Sequence, residues 1–141
     1  MELFSGSSDK IFILLKYQLS LNQLNAVRIN LYRHPIIKWA QRKDKVYIEV
    51  GLRDITDEKI DLTNTSLSFE GNSDSKKYLF KIDLFEEVDV EESKWNKTGF
   101  HLNFVLEKKD QDKPFWSRLT KLKEKNEYIK IDWSKWVDSD D

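Results

Sequence analysis

Ile37-Lys38-Trp39-Ala40-Gln41-Arg42-Lys43-Asp44-Lys45-Val46-Tyr47-Ile48-Glu49-Val50-Gly51-Leu52 is the stretch on which the fold turns. Val46, Ile48, Val50 and Leu52 alternate with Lys45, Tyr47, Glu49 and Gly51. That period of two belongs to a strand with one face buried. Ile37 and Trp39 share a face in the same way, and the polar Arg42 to Asp44 between the two runs predicts a hairpin.

The same alternation recurs toward the C-terminus. Leu67 and Phe69 alternate with Ser66, Ser68 and Glu70, and the polar stretch Gly71 to Lys77 then predicts a turn. Tyr78, Phe80, Ile82 and Leu84 line one face of the next strand. After a connection containing Gly99, Phe100, Leu102, Phe104 and Leu106 line another, and Ile129, Ile131 and Trp133 a last one. Short strands of even spacing, with no convincing long helix after residue 36, predict an all-β, compact antiparallel β-sandwich.

Toward the N-terminus the character changes. No acid lies between Asp9 and Asp44, while Lys10, Lys16, Arg28 and Arg33 are spread through Ile, Leu and Asn. Leu15, Leu19, Leu21 and Leu24 give only a partial helical stripe. Residues 1–34 are therefore expected to be an N-terminal extension, flexible or weakly helical. An organellar transit sequence is the other reading, against which stand sparse Arg and the early Glu2 and Asp9. Residues 35–138 form the one expected domain, and 139–141 a short acidic end.

Composition excludes several functions. The 24 basic and 25 acidic side chains leave a net charge of -1, which gives no field for nucleic acid. With 39% hydrophobic and 13% aromatic residues the chain folds rather than staying disordered. Cysteine is absent, which suits a reducing compartment and leads us to expect a cytoplasmic protein, found also in the nucleus. Ile11 to Leu15, the longest apolar run near the N-terminus, falls far short of the roughly 20 residues that span a bilayer, so no membrane anchor is expected.

Site chemistry is equally sparse. His34 and His101 read as surface residues, and two histidines without cysteine do not make a zinc site. Gly6, Gly51, Gly71 and Gly99 never approach a phosphate-cradling spacing. Glu86, Glu87, Asp89, Glu91 and Glu92 lack the spacing of a calcium loop and read as a solvated loop. No catalytic group, metal or cofactor is expected.

The positive signal is aromatic. Of five tryptophans, Trp116, Trp133 and Trp136 fall within 21 residues, close to Arg118 and Lys121. Aromatic and Arg side chains dominate protein interfaces because they bury large area with few rotors to freeze. Trp116, Leu119 and Trp133 could equally close the end of the sandwich, and Trp136 is the residue expected to reach a partner.

Ile37-Lys38-Trp39-Ala40-Gln41-Arg42, Ile82-Asp83-Leu84-Phe85, Trp116-Ser117-Arg118-Leu119-Thr120-Lys121 and Ile131-Asp132-Trp133-Ser134-Lys135-Trp136 together resemble a CS domain. The likeness runs from about Pro35 to Asp138 and is nearest to the 23-kilodalton co-chaperones of heat-shock protein 90. It implies the HSP20-like chaperone fold and a monomer that binds the ATP-bound closed dimer of heat-shock protein 90, slowing ATP hydrolysis and release of client proteins. Carried over by residue, it assigns partner contact to Trp133 and Trp136, and to Trp116, Arg118, Leu119, Thr120 and Lys121, with Ser117 where proline is common. The family's glutathione-dependent prostaglandin E synthase activity is tied to a tyrosine just after the first tryptophan. Ala40 stands there, so the resemblance does not imply an enzyme. The WAQR element also resembles CS modules of other assemblies, which is the alternative reading. A long acidic tail is usual in the family, and Asp138, Ser139, Asp140 and Asp141 are expected to be either a vestige of it or what stands where it was removed.

Overall fold

The protein was described from a computed structural model covering residues 32–136. The expected extension up to residue 31 and the acidic end 139–141 lie outside the described residues. The unit that carries the sandwich begins at His34.

Among the described residues eight strands follow in order: β1 (Ile37–Gln41), β2 (Lys45–Val50), β3 (Thr56–Leu62), β4 (Ser66–Ser73), β5 (Lys76–Asp83), β6 (Val88–Lys97), β7 (Leu102–Lys108) and β8 (Ile129–Ile131). They form a five-stranded sheet, β6-β7-β2-β1-β8, and a three-stranded sheet, β3-β4-β5. All neighbours are antiparallel except β1 and β8, which run parallel with Ile37 opposite Ile129 and Trp39 opposite Ile131.

The expected hairpin is present. β1 and β2 pair from Ile37 opposite Val50 to Gln41 opposite Val46, and the Arg42 N–H donates to the Lys45 carbonyl at 2.8 Å. The alternating side chains interdigitate between the sheets: Ile37, Trp39, Val46, Ile48, Val50, Leu102, Phe104 and Leu106 from one, Leu67, Phe69, Phe80 and Ile82 from the other. Each such fully buried side chain contributes about 1.5–3 kcal/mol relative to exposure.

Four expectations need correcting. β4 does not stop at Gly71 but runs to Ser73, and the reversal is made by Asp74 and Ser75 alone, with φ of 52° and 61°. Two successive positive φ values are what a two-residue hairpin requires to match the strand twist. Gly71 serves packing instead, since a methyl group there would sit 2.8 Å from Phe69 Cζ and 3.3 Å from Ile55 Cγ2.

Of the acidic stretch, Glu86 and Glu87 lie in the connection between β5 and β6, but Asp89, Glu91 and Glu92 do not form a loop. Val88–Lys97 forms edge strand β6, and the bulge between Asp89 and Lys94 is held by Asp89 Oδ1, which accepts from the N–H groups of Glu91 and Glu92. Because little of an edge strand is buried, it can lack apolar alternation altogether. Phe100 lies in the turn before β7, 61% exposed beneath the Arg53 guanidinium, and does not join the inward row of that strand. His34 is half-buried and stacks on Tyr128 at 4.7 Å, so it is not a plain surface residue.

The connection from β7 to β8, residues 109–128, contains no strand or helix and is tied to the end of β1 through Gln41 and to the continuation of β5 through Asp83 and Phe85. It carries Trp116 to Lys121, and the turn after β8 carries Trp133 and Trp136.

Candidate functional site

Three side chains at and just past the end of β1 tie the aromatic segments together. Trp39 packs on Trp136, Gln41 holds Trp116, and Arg42 holds Lys135. The quoted WAQR motif is thus the junction between the two halves of the expected site.

The first half begins at Trp116, 4% exposed in the core and tilted against Phe85 at 6.2 Å. Gln41 Nε2 donates to the Trp116 carbonyl, and Gln41 Oε1 accepts the Trp116 N–H, both at 2.8 Å. Leu119 is 2% exposed, its carbonyl accepting from the Phe85 N–H at 3.0 Å. The Lys121 N–H donates to the Asp83 carbonyl at 2.8 Å, so Thr120 bridges Leu84 and prolongs the β5 edge. Trp116 and Leu119 therefore point inward and position their neighbours. Ser117 and Lys121 are exposed, and Arg118 and Thr120 half-buried. Arg118 lies over the Phe85 ring at 5.0 Å and donates from Nη2 to the Lys121 carbonyl at 2.8 Å. The ring and the carbonyl fix the guanidinium at two points, which leaves it less entropy to lose on meeting a partner carboxylate, while its Nε is buried without a hydrogen-bond partner.

The second half is a turn. The Asp132 N–H donates to the Trp39 carbonyl at 2.8 Å, which ends the pairing begun by β8. Asp132 Oδ1 then accepts from the Ser134 hydroxyl at 2.6 Å and the Ser134 N–H at 3.2 Å. The Ser134 hydroxyl is the main cause that holds the Asp132 carboxyl below its usual range, against a smaller opposing effect of burial. The strand ends at Ile131, so Trp133 leaves the inward phase of Ile129 and Ile131 and is 73% exposed. Trp136 folds back, half-buried against the core, edge-on to Trp39 at 5.4 Å and within 6.1 Å of Trp133. Of the aromatic pair, Trp133 is the outward member and Trp136 its buttress.

Sequence reasoning missed Lys108 and, as a site residue, Gln41. Gln41 is fully buried, and Lys108, in phase with Leu102, Phe104 and Leu106, is 4% exposed. Lys108 Nζ donates to Gln41 Oε1 at 2.8 Å and lies 4.6 Å from the Phe115 ring centroid. Burial pushes its pKa down to about 8, partly opposed by Asp44. A lysine continuing an apolar row was the available signal. Ala40 is fully buried, with no acidic group to offer chemistry. Among the described residues no three His, Cys, Asp or Glu side chains converge as metal ligands.

Comparison with known proteins agrees with this architecture. The CS domain family matches residues 35–108, just over half of the chain. Protein wos2 of Schizosaccharomyces pombe is 38% identical over 115 residues, which cover 76% of this chain and 62% of that one. Co-chaperone protein p23-1 of Brassica napus is 45% identical over 113 residues, covering 77% and 62%. The chain thus spans about three-fifths of the length of these curated relatives. Heat shock protein 16.0 from Schizosaccharomyces pombe shares the fold, with a TM-score of 0.51 at 16% identity over 59% of this chain and 94% of that one. Sandwich, matched stretch and relatives lead to one assignment: the chain belongs to the CS-domain family.

Proposed function

We propose that this chain is a co-chaperone that docks on the ATP-bound, closed dimer of heat-shock protein 90 and slows ATP hydrolysis and the release of client proteins. The observation that carries the reading is Trp133, 73% exposed on a turn braced by Trp136 and Asp132, in a chain 45% identical over its matched length to a co-chaperone p23-1. A large apolar side chain that exposed has little folding role and suits a partner pocket. Arg118 and Lys121 supply cationic groups on the neighbouring segment that Gln41 ties to the end of β1.

A protein that binds the closed state more tightly than the open one shifts the equilibrium by its differential affinity, and slows turnover without touching nucleotide. No catalytic group is needed for that. We propose a monomer acting in the cytoplasm, and in the nucleus as well. The test is a pull-down of heat-shock protein 90 with a non-hydrolysable ATP analogue and with ADP. Retention with the analogue and not with ADP is expected, and equal retention or none in both arms refutes the reading.

A further inference from the structure

The fourth inward position of β7 holds an ammonium where three apolar side chains precede it. Leu102, Phe104 and Leu106 enter the core, and Lys108 follows them in, 4% exposed. Burying a charge there costs free energy that a methionine of similar volume would not. Its pKa, pushed down to about 8, is the sign of that cost. Packing alone does not call for a lysine at this place.

What the ammonium does is orient Gln41. An amide side chain can flip its oxygen and nitrogen with little change in shape, whereas a lysine offers only donors. Lys108 Nζ at 2.8 Å therefore requires oxygen on its side. That choice fixes which end of the amide meets the backbone of Trp116: oxygen to its N–H, nitrogen to its carbonyl, each at 2.8 Å. Gln41 thus behaves as a strand partner for a single residue, 75 positions away in sequence. The ammonium also lies against the rings of Phe115 and Trp116, at 4.6 Å and 5.8 Å from their centroids.

The segment is tied again at its far end by Leu119 and Lys121 to the continuation of β5. Between the two ties stand Ser117 and Arg118, whose backbone is held only through Trp116 on one side and Leu119 on the other.

We propose that Lys108, acting through Gln41, is a positioning residue for the docking surface: it fixes the entry of the Phe115 to Lys121 segment at Trp116 and so the placement of Arg118, two residues on. This rests on the co-chaperone reading. It adds two buried residues, neither of which touches the partner, to the determinants of docking.

Amide hydrogen exchange on the free protein and titration against heat-shock protein 90 with a non-hydrolysable ATP analogue, on wild type, Lys108→Met, Gln41→Leu and Gln41→Glu, test it. In Lys108→Met the Trp116 amide exchanges about tenfold faster and affinity falls about tenfold, while amides of β2 and β7 keep their protection. Gln41→Leu, which removes all three hydrogen bonds, does more. Gln41→Glu keeps the acceptor for Lys108 and the Trp116 N–H but sets a second acceptor against the Trp116 carbonyl, so its exchange at Trp116 and its affinity should fall between those of wild type and Gln41→Leu, and behaviour like Gln41→Leu would overturn the role given to Lys108. Faster exchange throughout the sandwich of Lys108→Met would mark a purely structural role and overturn the proposal, as would wild-type affinity in that variant. If Gln41→Leu does not fold, Lys108→Met still decides. A wild-type chain that does not bind overturns the co-chaperone reading and the docking role with it, and the exchange at Trp116 then judges the clamp alone.

Discussion

Trp133 and Trp136 lie three residues apart and differ in what truncation removes. Trp136 is half-buried against the core and meets Trp39 edge-on at 5.4 Å and 89°. A fully buried Trp→Ala change costs about 3–5 kcal/mol, and an edge-to-face pair accounts for about 0.5–1.5 of it. For a half-buried ring, Trp136→Ala should cost roughly 2 kcal/mol, equivalent to a fall in Tm of about 10 °C for a domain of this size. Trp133, 73% exposed, should cost no more than about 0.5 kcal/mol.

Docking should order them differently. Trp133→Ala removes the outermost apolar side chain of the site, and a hot-spot loss of about 2 kcal/mol lowers affinity roughly thirtyfold. Trp136→Ala should weaken docking too, because Trp133 loses its buttress, but only together with the loss of stability. Calorimetric melting and titration against heat-shock protein 90 with a non-hydrolysable ATP analogue read the two quantities on the same samples. If Trp133→Ala melts as low as Trp136→Ala, or docks like wild type, the division into contact and buttress is refuted.

Lys108 makes stability depend on pH in an identifiable window. Its native pKa of about 8 lies below the ordinary 10.5, so between those values the unfolded chain holds more protons and stability rises with pH. The rise is bounded at about 3 kcal/mol, less any solvent screening of the ammonium. Denaturant melts at pH 7.5 to 10.5 should show it in wild type and not in Lys108→Met. Gly71→Ala should destabilise by about 1–3 kcal/mol, because Phe69 and Ile55 leave no room for a methyl group; a neutral result in thermal melts would mean that the Phe69 ring yields freely. Asp132→Ala frees the Ser134 hydroxyl and N–H, so Trp133 should lose its fixed placement. The measurement is the NMR relaxation of the Trp133 indole N–H with every other tryptophan in place, where faster local motion is expected and an unchanged relaxation refutes the bracing role.

The inward rows were legible because burial on one face writes a period of two into the sequence, and β1, β2, β4, β5 and β7 carry it. Edge strands β3 and β6 were not, since Thr56–Leu62 and Val88–Lys97 bury little and so need no alternation. The Gly71 region misled for a related reason. Glycine, asparagine and serine were read as turn chemistry, whereas the reversal needed only two residues of positive φ and Gly71 was required by the ring lying over it.

The candidate site divides along the same line. Tryptophan spacing marked its visible parts, but orientation could not follow from spacing: Trp133 keeps the phase of Ile129 and Ile131 in sequence and loses it in space, because β8 ends at Ile131 and Asp132 turns the chain. Gln41 and Lys108 are separated by 67 positions from each other, and Gln41 by 75 from Trp116. A polar group in a buried row is the only trace that such a contact leaves in one sequence. Lys108 was such a trace, because a charge that interrupts an apolar row has to be satisfied by something, and here the partner lies at the junction of the two aromatic segments.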